Sequence, residues 1–202
     1  VQANKGDPDD LYELGKRYQY GNGVAQDGFK ALHYYTLAAD QGHADALYAI
    51  AGLYGGGIGV DESQETSDSY LRMAAFQYEL KADQGDASAQ FIIAEMSYMG
   101  DGIEQDPMKA LKYYTLAADQ GHGIAQFHLA RIYCGSERVA QDLMKALHYY
   151  KRAVGQGIRS AQYDLGKRYK EGGVFKQSNK KALKYYTLAA NQGDTKAQFE
   201  LR

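Results

Sequence analysis

Apolar residues recur along this chain with helical spacing, and the pattern itself repeats. With Asp10, Ala46, Ala89, Ala125 and Ala161 as equivalent starts, an apolar residue stands four positions on (Leu14, Ile50, Ile93, Leu129, Leu165). Glycine or alanine follows it (Gly15, Ala51, Ala94, Ala130, Gly166), and Tyr18, Tyr54, Tyr133 and Tyr169 come one turn later. These positions share one face of a helix, here termed helix A; Ser97 departs from the series. Gly21-Asn22-Gly23, Gly57-Ile58-Gly59 and Gly100-Asp101-Gly102 then stop it, because glycine readily adopts the positive φ of a helix exit.

A second helix, helix B, is announced by its cap. Asp27, Ser63, Asp106, Asp142 and Ser178 all fall seventeen positions after a start, and each can accept from free helix-terminal amides. Pro107 after Asp106 suits a first helical position, where no amide proton is needed. Helix B carries Ala31, Tyr35 and Ala38, matched by Ala110, Tyr114 and Ala117, by Ala146, Tyr150 and Ala153, and by Ala182, Tyr186 and Ala189. Small residues allow close helix approach, and the tyrosines fill the gaps. Gly42, Gly85, Gly121, Gly157 and Gly193 end it.

The spacing predicts an all-α chain forming one solenoid over 1–202, with repeats at 10–45, 46–88, 89–124, 125–160 and 161–196 and partial repeats at 1–9 and 197–202. The second repeat is seven residues longer, the excess lying between Ser67 and Gly85. Seven residues fall only about 20° short of two full turns, so the packing face survives and a continuous, longer helix is expected, with no break between Ala75 and Gln77. Gln2 to Gly6 aligns with Ala38 to Gly42, and Ala197 to Arg202 opens a further helix A. With no polar capping unit at either end, the expectation is a piece of a longer repeat protein.

Composition narrows the chemistry. A formal charge of −2 across 202 residues gives no overall footprint for nucleic acid or an anionic membrane, although local basic patches remain compatible with it. The single cysteine, Cys134, excludes an internal disulfide and a multi-cysteine zinc site. No apolar run approaches the roughly eighteen residues of a membrane span, so no membrane insertion is expected.

The unit A-x-x-x-L-G-x-x-Y-x-x-G-x-G-V, a capping Asp, then K-A-x-x-Y-Y-x-x-A-A-x-x-G resembles the Sel-one-like repeat family, relatives of the tetratricopeptide repeats. The resemblance is best in Asp10 to Gly42 and Ala89 to Gly121; the fourth unit has Ser136 and Arg138 where the turn glycines should be. It implies a right-handed superhelix of antiparallel helix pairs, with helix A lining a concave surface that binds other proteins, and it implies no common reaction.

Several features could suggest other chemistry. Gly55 to Gly59 lacks the strand before it and the Gly-Lys-Ser/Thr after it that a phosphate loop requires. No two of His33, His43, His122, His128 and His148 are spaced to share a metal on one helix, so no metal or cofactor is expected. The capping aspartates recur once per unit, and Cys134 has no evident base, so no catalytic residue is assigned. The aromatic row Tyr12, Tyr48, Phe91, Phe127, Tyr163 and Phe199 recurs too regularly for selective recognition and is assigned to core packing.

Variation between units is the remaining signal. The third, sixth, seventh and tenth positions after each start leave the recurring face of helix A. They are charged or polar in the outer units and more apolar in the middle ones. The partner-binding surface is therefore assigned to Lys16, Arg17, Leu53, Ile92, Met96, Met99, His128, Arg131, Ile132 and Arg168, with Met96 and Ile132 near its centre and Arg131 and Arg168 on its rim. The alternative is that the seventh position turns into the core, which would withdraw Leu53, Met96 and Ile132. The expected function is a non-enzymatic adaptor or inhibitor holding a segment of another protein. A cell-wall or β-lactam enzyme, as among cysteine-rich members of the family, is disfavoured by the lone cysteine. An RNA reader is disfavoured by the charge and the lack of a regular basic stripe.

Overall fold

A computed structural model of the protein describes residues 6–135, 139–173 and 175–202. Among these residues the chain forms eleven helices and no strand: α1 (Pro8–Tyr20), α2 (Gly28–Ala39), α3 (Ala44–Gly56), α4 (Gln64–Asp83), α5 (Ala87–Met99), α6 (Pro107–Asp119), α7 (Gly123–Gly135), α8 (Leu143–Gly155), α9 (Arg159–Glu171), α10 (Asn179–Asn191) and α11 (Thr195–Glu200). Odd-numbered helices are the A members of each pair and even-numbered ones the B members. The chain divides into two compact units, 1–110 and 111–202, with the division inside α6.

The helix starts follow from local chemistry. Asp27, Ser63, Asp142 and Ser178 accept from the amides of Lys30, Thr66, Lys145 and Lys181, and Asp106 accepts from both Met108 and Lys109 at 2.9 Å. The A helices are capped too, a few residues ahead of the sequence-derived starts. Asp7, Asp86 and Asp194 cap α1, α5 and α11, while the Nδ1 atoms of His43 and His122 accept from Ala46 and Ala125. Only α9 follows a residue, Ile158, with no capping side chain. Gly21, Gly57 and Gly100 leave α1, α3 and α5 in the left-handed region. The turn residues Ser136 and Arg138 and the partial repeat at residues 2–5 lie outside the described residues.

In the first unit, Leu11, Ala31, Tyr35, Ala38, Ala46, Ile50 and Leu53 form a buried cluster joining the first helix pair to α3. Gly15 allows the close approach of α1 to α2, since a Cβ there would fall 2.5 Å from the Tyr35 ring.

Helix α4 runs unbroken for 20 residues and serves two registers at once. Against α3 it keeps the ordinary one: Tyr54 stacks on Tyr70 as Tyr18 stacks on Tyr34. Against the following repeat it uses the shifted one: the turn glycine Gly102 abuts Leu71, where in the preceding pair Gly59 abuts Gly28. The two extra turns thus carry α4 past the start of α3, where the Tyr78 hydroxyl donates to Asp45, and shift the seat of the turn after α5 by about 10 Å along it.

In the second unit, Ala146, Tyr150, Ala153, Ala161, Leu165, Tyr169, Ala182, Tyr186 and Ala189 form the core with Cys134 and Phe175. A polar relay runs through it. Buried Gln126 donates to the Ala118 carbonyl at 3.0 Å and accepts from Gln156 at 2.9 Å. One repeat on, Gln192 donates to buried Gln162 at 2.8 Å. Each relay ties the end of a B helix to an A helix and satisfies a buried amide that would otherwise be costly.

Candidate functional site

The structure divides the ten sequence-derived site residues. Leu53, Met96 and Ile132 are 0, 2 and 9% exposed, so their assignment to the binding surface is corrected: all three belong to the core. Helix A leans on the B helix of the preceding repeat, and the seventh position points into that junction. Leu53 accordingly packs in the cluster that contains Ala31, Tyr35 and Ala38 of α2.

Arg168, also at the seventh position, shows the same direction in polar form. Its Nε donates to the Tyr150 hydroxyl at 2.7 Å and to Asp164 Oδ2 at 3.3 Å, while Tyr150 donates to Asp164. The third position shares this junction. His128 stacks on Tyr114 with ring centroids 5.4 Å apart, its Nδ1 3.5 Å from the hydroxyl. Where the third and seventh positions are apolar, as in Ala49 with Leu53, the tyrosine turns elsewhere: Tyr35 donates to Gln19 at 2.6 Å.

The other expected residues stay accessible or half-accessible. In the first unit Arg17 is exposed, Lys16 pairs with Glu13 at 2.8 Å, Ile92 is half-buried and Met99 is 61% exposed. In the second, Arg131 is exposed, with its guanidinium over the Phe127 ring at 5.8 Å. The aromatic row is half-packed. Tyr12, Phe127 and Tyr163 each lean on a B-helix tyrosine (Tyr35, Tyr150, Tyr186), but Tyr48 and Phe199 are exposed.

Three successive A helices of the second unit enclose a groove of about 500 Å³. Helix α7 contributes Phe127 and Arg131; α9 contributes Arg159, Tyr163, Asp164 and Arg168; Lys196 stands on the first turn of α11. Arg131 and Arg168 were expected on this face. Arg159 and Lys196 were not, because each lies one or two residues before a sequence-derived start, on turns that the helical wheel left out. Placing the α11 start by its capping residue Asp194 would have found Lys196, whereas Ile158 offers no cap signal that could have found Arg159.

Burial sets the protonation states beneath the groove. It is the chief cause pushing the Tyr150 hydroxyl far above its ordinary value, reinforced by the Asp164 carboxylate, so Tyr150 remains a donor. Burial likewise pushes the Cys134 thiol up, which leaves it unsuited to act as a nucleophile. Among the described residues no three His, Cys, Asp or Glu side chains are grouped to hold a metal ion, and no helix is long and apolar enough to cross a membrane.

The profile of the Sel1 repeat matches residues 8–43, 44–75, 87–122, 123–158 and 159–194. A solved Sel1 repeat protein from Oxalobacter formigenes is 29% identical, with a TM-score of 0.76 over 97% of this chain and 77% of that one. A protective antigen present in uropathogenic Escherichia coli strains, displaying an SLR fold, is 31% identical with a TM-score of 0.69; the match covers 97% of this chain but 41% of that one. An immunity protein from Pseudomonas aeruginosa, 18% identical with a TM-score of 0.52 over 96% of this chain and 84% of that one, shares the fold. A chitin synthase regulator of Malassezia restricta is 36% identical over 61 residues, which are 30% of this chain and 4% of that protein. The chain thus spans less than half the length of the antigen and a small part of the regulator. With five such repeats making up most of its length, the chain belongs to the Sel1 repeat family of α-helical solenoids, whose repeats are protein-interaction modules.

Proposed function

We propose that this chain is a non-enzymatic adaptor or inhibitor that holds a segment of a partner protein against its A helices, principally in the α7–α9–α11 groove. The observation that carries this reading is the groove itself: three successive A helices line one open channel with cationic side chains and two aromatic walls, Phe127 and Tyr163. Arg and aromatic side chains are the residue types that most often anchor protein interfaces. Arg17, Ile92 and Met99 in the first unit are assigned to partner contact as well, and Lys16, His128 and Arg168 to supporting it at the margins of the A-helix face.

Site-specific photo-crosslinking in the native cell tests this. A photoreactive residue replacing Arg131 or Ser160, which also lines the groove, should capture a partner protein, whereas the same residue at His148 or Lys184, both exposed on B helices, should not. Capture confined to the B-helix positions would overturn the assignment.

A further inference from the structure

The near-neutral total charge conceals two strongly and oppositely charged halves. Residues 1–110 contain 7 lysines and arginines against 18 aspartates and glutamates, whereas residues 111–202 contain 16 against 7. The groove lies wholly in the basic half.

Within it, Arg131, Arg159, Arg168 and Lys196 face Asp164 and Asp194. Both carboxylates are already committed. Asp164 is held by Tyr150 and Arg168, and Asp194 accepts from the Ala197 amide at 2.9 Å as the cap of α11. Arg168 is the partner of Asp164, but no described carboxylate lies within ion-pair distance of Arg131, Arg159 or Lys196. Three exposed cations therefore stand around one channel with no ion-pair partner among the described residues.

We infer that the groove takes an acidic segment of the partner, its Asp or Glu side chains meeting Arg131, Arg159 and Lys196 and an apolar residue between them meeting Phe127 and Tyr163. This rests on the reading that a partner segment is held on the A-helix face. Charge complementarity selects the occupant: exposed cations with no described ion pair gain from a carboxylate without first breaking a salt bridge, and arginine pairs with it bidentately. A nucleic acid fits less well, because the A helices carry no regular basic stripe beyond the channel for a phosphate backbone to follow. The basic field of the whole half also steers an acidic segment towards the channel before contact.

Fluorescence anisotropy on the full chain tests the inference with three fluorescein-labelled peptides of one length: Asp and Glu interspersed with Leu and Phe, the same peptide with glutamine at every acidic position, and the same with lysine. The acidic peptide should bind about tenfold or more tighter than the glutamine peptide, with affinity falling steeply as salt rises. Arg159→Glu with Lys196→Glu should erase that advantage without loss of helicity, since both side chains are exposed and make no ion pair; Arg159→Gln with Lys196→Gln should weaken it less. His148→Glu with Lys184→Glu, which lowers charge to a similar extent on B helices, should leave most of it. Equal binding of the acidic and glutamine peptides overturns the inference, as does tighter binding of labelled oligouridine than of the acidic peptide. A crosslinked partner segment at Arg131 or Ser160 that lacks acidic residues also overturns it while the proposed function stands. No crosslink at either position overturns both.

Discussion

At the scale of single residues, the caps carry the clearest energetic consequences. Asp142 accepts from the Lys145 amide at 2.9 Å, so Asp142→Ala leaves a helix-terminal donor without its side-chain partner and should cost about 1 kcal/mol. Asp40 sits at the C-terminal end of α2, where a negative charge is unfavourable, so Asp40→Ala should cost less. Urea midpoints of the two variants check the difference, and equal losses would contradict the capping role. His122 adds a pH dependence. Its Nδ1 must be unprotonated to accept from Ala125, and burial holds the ring below its ordinary value of 6.5. The folded state therefore binds this proton less readily than the unfolded state. The His122 contribution is fully present above pH 6.5 and declines as pH falls through 6.5 to the lowered folded value, below which the loss levels off. His122→Asn keeps a capping group that does not titrate. Between about pH 8 and pH 5 the original chain should lose stability relative to this variant; parallel losses would show that His122 is not the titrating cap.

At the scale of helices, the fold depends on how an A helix meets the preceding B helix. Met96 is buried, so Met96→Glu should unfold its repeat or cost several kcal/mol, because an unpaired carboxylate loses its hydration. A cooperative melt at an unchanged temperature would return Met96 to the surface. Gly15 sets two effects against each other. Alanine gains about 1 kcal/mol of helix propensity over glycine, but its Cβ would lie 2.5 Å from a Tyr35 ring that is pinned by its bond to Gln19. Overpacking of this kind costs about 1 to 3 kcal/mol, so Gly15→Ala should lower the melting temperature or leave it level, and a rise would mean that the ring shifts freely. Gln126→Leu removes both links of the buried relay, to the Ala118 carbonyl and from the Gln156 amide, a loss of about 1 kcal/mol readable from denaturant midpoints.

At the scale of the whole molecule, stability in a repeat chain is a sum of unit and neighbour terms rather than the property of one centre. Hydrogen exchange should therefore show Gln126→Leu lowering protection in α7 and α8 while leaving α1 to α3 as they were. Loss of protection throughout would point to a single cooperative core. Charge also changes meaning at this scale. A total of −2 averages an acidic half with a basic one, so it carries no information about what either half attracts.

Much of the architecture was legible because it rests on local rules. Helix periodicity, cap chemistry and glycine exits act within a few residues, so the pairs, the B-helix starts at Asp27, Ser63, Asp106, Asp142 and Ser178, and the persistence of α4 through its insertion could be read from the sequence. The candidate site was less legible because its residues are sorted by contacts between repeats. Variation at the third and seventh positions suggested recognition, but His128 with Tyr114, and Asp164 and Arg168 with Tyr150, vary as packing partners across a junction. Nor could a helical wheel foresee that Arg159 and Lys196, 37 residues apart, would line one channel with Arg131. The sequence by itself determined the helices and their order, since each needs only its own neighbours. Tertiary structure decided which side chains face the solvent, because that depends on where the preceding repeat lies.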